Sequence, residues 1–297
     1  MIFIVIAVFN RKQLTLNCLS SLQKQTFGDF KTIVVDDNSS DGTADAIRKH
    51  FPDIHIVMGD GNLWWAGGTN AGIEYVMNKL NPSKDDFILT LNNDLEVGED
   101  YLEIMHGHAS SNTNWMLGSV SVDIDDTRLL SFCGVSWNEI TGRYHSKAKD
   151  YNYSYPELLR KSQFIRSDVL PGRGTLIPMA VFDKIGLFDS KRFPQYAADE
   201  DFSLHARRSG WQLVIPTDLY LKSHITATGV DVGKARFSLK FYKQLFFSIK
   251  SPLDLKTRYR WAMKNTPLKF LYFLLDCARI TSPIVLRSFR NLFKANT

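Results

Sequence analysis

Three apolar runs in the first hundred residues each break off in a polar cluster, and no other feature of the chain constrains its fold as much. FIVIAV gives way to Phe9-Asn10-Arg11, the run 31–35 to Asp36-Asp37-Asn38, and the run 87–91 to Asn92-Asn93-Asp94. Apolar runs of this length, stopped by Asn and Asp, read as buried strands that end in loops. Residues 54–58 read as a further strand. Between the strands, 14–25 places Leu16, Leu19 and Leu22 at helical spacing, and 43–50 and 69–80 read as helices as well. Strands alternating with helices predict an α/β domain on a largely parallel sheet. Ligands of open α/β sheets sit beyond the carboxyl ends of the strands, so the three polar clusters are expected on one shared edge. Two of the clusters carry carboxylates. Carboxylates with amides suit a hard divalent cation that holds a diphosphate, whose own oxygens complete the coordination.

Several chemistries are excluded at that edge. No GxGxxG loop follows the first strand and no Walker A lysine loop is present, which argues against dinucleotide and P-loop chemistry. Cys18, Cys133 and Cys277 are too few and too far apart for a disulfide framework or a zinc cluster, so a reducing compartment is the expectation. The run 2–9 is too short to span a bilayer and lacks the preceding positive charge of a signal peptide. The longest later apolar stretch, 270–278, is cut by Asp276, and an integral membrane protein is not expected.

Charge divides the chain unequally. Residues 234–297 hold 14 Lys and Arg against 2 Asp and Glu, whereas residues 1–233 hold 22 against 29. An acidic main domain, 1–233, is therefore expected to carry a basic appendage, 234–297, with the boundary near Gly229 to Gly233.

The blocks VIAVFNR, VVDDNSSDGT, GNLWWAGGTNAGI, LTLNNDLEV, GRGTLIPMAVFDKIGLFD and DEDFSLHARRSGW occur in an order that resembles family 2 glycosyltransferases over about residues 1–230. The look is that of the bacterial rhamnosyltransferase-like and galactofuranosyltransferase-like members. The resemblance implies an α/β, GT-A nucleotide-diphospho-sugar transferase fold, Rossmann-like with a mostly parallel sheet flanked by helices. It places a nucleotide-binding half at about 1–100 and an acceptor half at about 101–233, followed here by a helical basic tail. It also implies an inverting, metal-dependent sugar transfer.

By that resemblance Asp36 accepts a hydrogen bond from the N3–H of uracil or thymine, a task suited to an acceptor-only carboxylate. Phe9, Asn10 and Asp37 stand beside it as donor-side candidates, although relatives often carry Asn in place of Asp37. The alternative is a polar turn that starts a helix at Thr43. Asn92-Asn93-Asp94 resembles the DxD metal-binding element with Asn in the first acidic place. Asp94 is then the ligand of Mg²⁺ or Mn²⁺, with Asn92 and Asn93 as partners of ribose or diphosphate; otherwise the segment is an Asn-rich turn. GNLWWAGGTNAGI resembles a glycine-rich turn meeting a helix start against the donor, with Asn62, Gly68 and Asn70 as candidates. Trp64, where relatives often have glycine, or Trp65 stacks on a base or sugar unless both rings are core.

Asp199 in Ala198-Asp199-Glu200-Asp201-Phe202 falls on the family's general base, and Asp201 on the second acidic position beside it. Clustered acids raise one another's pKa, which favours a base near neutrality. Acids at a helix N-terminus are also stabilised by the macrodipole alone. His224, in SHITATG, resembles a late family histidine that approaches the metal or diphosphate, and Arg173, in PGRGT, lies in the block beneath the acceptor side.

The implied donor is dTDP-rhamnose, or a UDP-sugar such as UDP-galactofuranose. The implied acceptor is a glycan or a lipid-linked sugar of a cell-surface polysaccharide such as O-antigen, reached from the cytoplasmic face. A nucleotidyltransferase shares the fold and the metal, but no glycine- and arginine-rich pyrophosphorylase loop follows the first strand. A non-catalytic, membrane-docked sugar-binding scaffold is opposed by the acids at 94, 199 and 201. In the tail, RFSLKFYKQLFFSIK and TPLKFLYFLLDCARI mix aromatics, leucines and spaced cations. Such helices lie on an anionic membrane surface, or pack on the domain or a second subunit of a homodimer with cations outward. Nucleic acid is opposed by the acidic body.

Overall fold

The computed structural model describes residues 1–223 and 239–294. The opening apolar run is β1 (Ile2–Val8), followed by α1 (Lys12–Leu22), β2 (Phe30–Asp36), α2 (Thr43–His50), β3 (His55–Met58) and α3 (Trp64–Tyr75), which a π turn, Val76–Leu80, extends. Next come β4 (Phe87–Thr90), β5 (Leu95–Val97), α4 (Tyr101–Ser111), β6 (Trp115–Leu117), β7 (Val120–Asp123), β8 (Leu130–Phe132), β9 (Val135–Trp137) and β10 (Tyr144–Ser146). The domain continues through α5 (Tyr155–Lys161), β11 (Phe164–Arg166), β12 (Thr175–Pro178), α6 (Met179–Ile185), α7 (Ala198–Arg208), β13 (Gln212–Pro216) and β14 (Tyr220–Ser223). The basic tail forms α8 (Leu239–Phe246), α9 (Leu255–Asn265) and α10 (Lys269–Lys294).

The main sheet has eight strands in the order β11-β13-β6-β12-β4-β1-β2-β3. Strand β1 is buried on both faces, as a central strand between helical layers must be. Its Phe3 and Val5 join the core beneath α3 and α7, and Ile2, Ile4 and Ile6 join the core beneath α1, α2 and α4. Strands β4, β1, β2 and β3 are parallel, as the alternation predicts. Within this mostly parallel sheet, in which β13 and β6 are also parallel, β12 is reversed and runs antiparallel to both β4 and β6. That reversal pairs Thr175 with Thr90, so the loop 171–174 lands on the edge where β1, β2 and β4 end. A smaller sheet, β5-β14-β7-β8, and the hairpin β9-β10 flank this edge.

Helix α3 corrects the expected glycine-rich turn. It starts at Trp64 rather than Thr69, and Gly68 lies inside it. A Cβ on Gly68 would sit 2.9 Å from that of Ala7, so the glycine lets the helix lie close against β1. The tail is no loose appendage: Trp261, Ala262 and Tyr272 are buried in the same core as Phe193 and Phe202. The expected boundary at 229–233 lies outside the described residues. Among the described residues no helix is long and apolar enough to cross a membrane.

Candidate active site

The three polar clusters share one edge because β1, β2 and β4 are parallel and adjacent. Phe9 is 52% exposed there, an aromatic face open to a planar ligand. Asn10 takes a left-handed backbone, φ 51°, which Asn tolerates better than most residues. Its Oδ1 accepts from the N–H of Ser40 at 2.8 Å and its own N–H donates to Ser39 Oγ at 2.9 Å, lacing the first loop to the second. Asp36 is fully buried. Its Oδ1 accepts from the Ser39 N–H at 2.8 Å, whereas Oδ2 has no hydrogen-bond partner. A buried carboxylate oxygen without a donor is costly, and a ligand N–H reaching it would offset that cost. Asp37 is different: Oδ1 accepts from Gly61 N–H at 2.8 Å, and Oδ2 from Leu63 and Trp64 N–H at 2.9 and 3.2 Å. Its carboxylate shapes the loop before α3 and caps that helix, with three of its acceptor positions engaged by the backbone.

Beyond β4, Asn92 Oδ1 accepts from the indole N–H of Trp65 at 3.0 Å. Asn93 is buried and its amide donates to Thr15 Oγ1 at 3.0 Å, so it braces α1 instead of reaching the cleft. Asp94 forms an ion pair of 2.9 Å with Arg11, a partner that sequence reasoning had not singled out. No cluster of three metal-binding side chains exists among the described residues. At this end of β4 the carboxylate of Asp94 is of the type that suits a hard divalent cation such as Mg²⁺ or Mn²⁺, whose remaining coordination a substrate's phosphates can supply. The last described residue of β14, Ser223, pairs with Leu95, the neighbour of Asp94. His224, the other expected metal ligand, lies outside the described residues.

Trp65 joins the donor side of the edge to the acceptor side. Besides its bond to Asn92 it meets Phe188 edge to face, with ring centroids 5.5 Å apart. It also lies against the backbone of Gly172, where an added Cβ would come within 2.1 Å of the indole. Gly172 in turn donates its N–H to Asp199 Oδ2 at 2.7 Å, while Asp199 Oδ1 accepts from the Glu200 N–H at 3.0 Å. Ala197, just before α7, has φ 69°, a strained backbone for a residue with a Cβ, and it sets the start of the helix that carries Asp199. Burial raises the pKa of Asp199, and the two N–H donors and Arg173 moderate the rise. The guanidinium of Arg173 lies 5.8 Å over the Phe132 ring. Burial lowers its pKa, opposed by the nearby charges of Asp94 and Asp199. Arg173 thus feels the charge of both the expected metal ligand and the expected base.

Glu200, the middle acid of the triplet, to which the sequence gives no separate role, also belongs to this wall. Burial and the charge of Asp199 push its pKa up to about 7, and the Tyr144 hydroxyl donates to it at 3.2 Å. Between the ordinary value of 4.5 and about 7 the folded chain keeps a proton on Glu200 that the unfolded chain releases. Stability from this group is thus full below about 4.5 and lost as pH rises through about 7. Denaturation at pH 5 and pH 8 is expected to show a fall in stability with pH that Glu200→Gln reduces; an unchanged slope in the variant contradicts the assignment.

Other expected site residues are drawn elsewhere. Gly68 faces Ala7 inside the domain. The amide of Asn70 donates to Phe188 O at 2.8 Å and accepts from Phe188 N–H at 3.0 Å, a clamp that uses both ends. Asp201 is buried and bonds Lys264 Nζ and Asn265 Nδ2 of α9, both at 2.8 Å, away from Asp199. Asn62 is exposed and Trp64 half-buried with φ 57° at the start of α3.

Comparison with known proteins gives the family and the fold. A family model described as glycosyl transferase family 2 matches residues 3–182. The low-salt glycan biosynthesis hexosyltransferase Agl10 of Haloferax volcanii is 30% identical over 177 residues, which is 59% of this chain and 53% of that protein. The match thus spans about half the length of that relative. The crystal structure of GalNAc-T7 with UDP, GalNAc and Mn²⁺ superposes with a TM-score of 0.59 at 13% identity, covering 94% of this chain and 54% of that one. The mannosyltransferase PcManGT from Pyrobaculum calidifontis, in complex with GDP-Man and Mn²⁺, superposes with a TM-score of 0.55 at 12% identity, covering 93% and 69%. At these identities the structural likeness is one of fold, and the fold is the expected GT-A type.

Proposed function

The chain belongs to glycosyl transferase family 2, and we propose that it is an inverting, metal-dependent enzyme that moves a sugar from a nucleotide diphosphate to a glycan or lipid-linked acceptor. The observation that carries this reading is Asp199, held by the Gly172 N–H at the start of α7 beside Arg173. Across the same edge lie Asp94 and the partnerless oxygen of Asp36.

In this reading Asp36 Oδ2 receives the N3–H of uracil or thymine and Phe9 covers the base. Asp94 and His224 are the residues that would hold Mg²⁺ or Mn²⁺, which when bound supplies charge that stabilises the leaving diphosphate. Arg173 donates to the diphosphate from the other side, and Arg11 is released from Asp94 toward it. Asp199 takes the proton of the acceptor hydroxyl as that oxygen bonds the anomeric carbon. The bond from the anomeric carbon to the phosphate oxygen breaks with its electron pair on the diphosphate, and attack from the opposite face inverts the centre. Two structural neighbours, one in complex with UDP, GalNAc and Mn²⁺ and the other with GDP-Man and Mn²⁺, support the donor and metal class. The donor we favour is dTDP-rhamnose. A UDP-hexose or UDP-galactofuranose is the second reading, which the hexosyltransferase relative favours. The setting we propose is cell-surface polysaccharide synthesis, O-antigen among others, at the cytoplasmic face.

Release of nucleoside diphosphate from dTDP- and UDP-sugars with Mn²⁺ present is the expected result in a turnover assay. Pyrophosphate formed from nucleoside triphosphate and sugar phosphate would instead make the chain a nucleotidyltransferase. Arg173→Gln removes donors worth about 1.5–3 kcal/mol when bonded to a charged group, so diphosphate affinity is expected to fall roughly tenfold to a hundredfold. Binding of the uncharged nucleoside should be unaffected. Equal losses for both ligands would place Arg173 outside the diphosphate site.

A further inference from the structure

Helix α10 is amphipathic in an outward sense. Its inner face carries Tyr272, whose hydroxyl accepts from the Trp137 indole N–H at 3.2 Å, and Asp276, buried against Arg258 and Arg279. Its outer face carries Leu271, Leu274 and Leu275, at the i, i+3 and i+4 spacing of one helical stripe, with Leu268 and Phe270 at its start. These five side chains are 39 to 56% exposed. A contiguous apolar stripe of this kind on an outer surface marks an interaction site.

The charge of the tail that carries the stripe identifies its partner. The only two acids of 234–297, Asp254 and Asp276, are both buried, Asp254 capping α9 and Asp276 between two arginines. Lys240, Lys243, Lys250, Lys256 and Lys269 are exposed. Among the described residues the surface of the tail therefore presents leucines and cations with no exposed carboxylate. Two copies of such a surface would repel each other, whereas an anionic lipid leaflet complements both its apolar and its charged parts.

The inner face of the helix leads back to the site. Trp137, bonded to Tyr272, lies 6.1 Å from the Tyr144 ring, and Tyr144 bonds Glu200, the neighbour of Asp199. We propose that the leucine face of α10, on a tail whose exposed charges among the described residues are all cationic, seats the protein on an anionic membrane surface and so holds the acceptor side of the cleft near that surface. The link to an acceptor rests on the glycosyltransfer reading; the docking itself does not.

Flotation of the full-length protein with vesicles tests the docking without any sugar donor. Vesicles containing about a third phosphatidylglycerol are expected to carry the protein, and pure phosphatidylcholine vesicles to carry much less. The double variant Leu271→Gln/Leu274→Gln, at exposed positions, should fold normally by circular dichroism and lose about tenfold or more of its vesicle affinity. No binding to anionic vesicles, or equal binding by parent and variant, overturns the proposal. So does a dimer in sedimentation that the same variant dissolves, since the stripe would then belong to a second copy. Vesicle binding with no sugar transfer would refute the glycosyltransfer reading and leave the docking standing.

Discussion

Asp199→Asn is expected to lower transfer by about 10²–10⁴-fold, the usual contribution of a positioned base, with nucleoside diphosphate affinity nearly unchanged. The amide keeps the shape of the carboxylate, and its carbonyl oxygen can still accept the Gly172 N–H that bonds Asp199 at 2.7 Å. What it loses is the capacity to take a proton. Burial holds the Asp199 pKa above the ordinary carboxylate value, which strengthens it as a base, while the Gly172 and Glu200 N–H groups and Arg173 keep it ionisable. The two readouts must separate: kcat falls, and the dissociation constant for nucleoside diphosphate by calorimetry does not. A variant that turns over near the parental rate would remove Asp199 from the chemistry.

Two residues further on, Asp201→Ala is expected to act on stability instead. Asp201 is buried, and its oxygens bond Lys264 and Asn265 of α9. Removing one member of a buried ion pair costs about 3 kcal/mol or more, because the remaining charge is left poorly compensated. Lys264 retains Asp189 at 2.8 Å, which keeps the loss toward the lower end. At about 2–4 °C per kcal/mol for a chain of this size, the melting temperature should fall by roughly 6–12 °C. Turnover per folded molecule at low temperature should change little. A loss of kcat without a loss of stability would return Asp201 to the cleft.

The contrast between these neighbouring acids shows what was legible in the sequence. Periodicity identified the buried strands and placed three polar clusters at one edge, because a parallel sheet leaves little choice about where its strands end. It did not say which polar side chains at that edge are free. Loops need acceptors and donors for their own backbone, so Asp37 is used by Gly61, Leu63 and Trp64, and Asn70 by Phe188. In sequence these residues look the same as Asp36, whose second oxygen stays unpartnered. Residues 199 and 201 likewise read as one acidic group, yet on a helix residues two apart point to opposite faces, one to the cleft and one to α9. Glycine misled in the other direction: Gly68 suggested a turn and instead permits a close helix-to-strand contact. Tyr144 gave no signal at all, since it reaches Glu200 only after the β9-β10 hairpin folds over the edge.

Calorimetric titration of the protein with UDP and with dTDP, each with and without Mn²⁺, tests the nucleotide site most directly. The expected result is binding that strengthens with the metal, prefers one of the two nucleotides and weakens when Asp36 is replaced by Ala. Absence of binding to either nucleotide in the presence of Mn²⁺ would contradict the assignment of this edge as a donor site, and with it the proposed transfer.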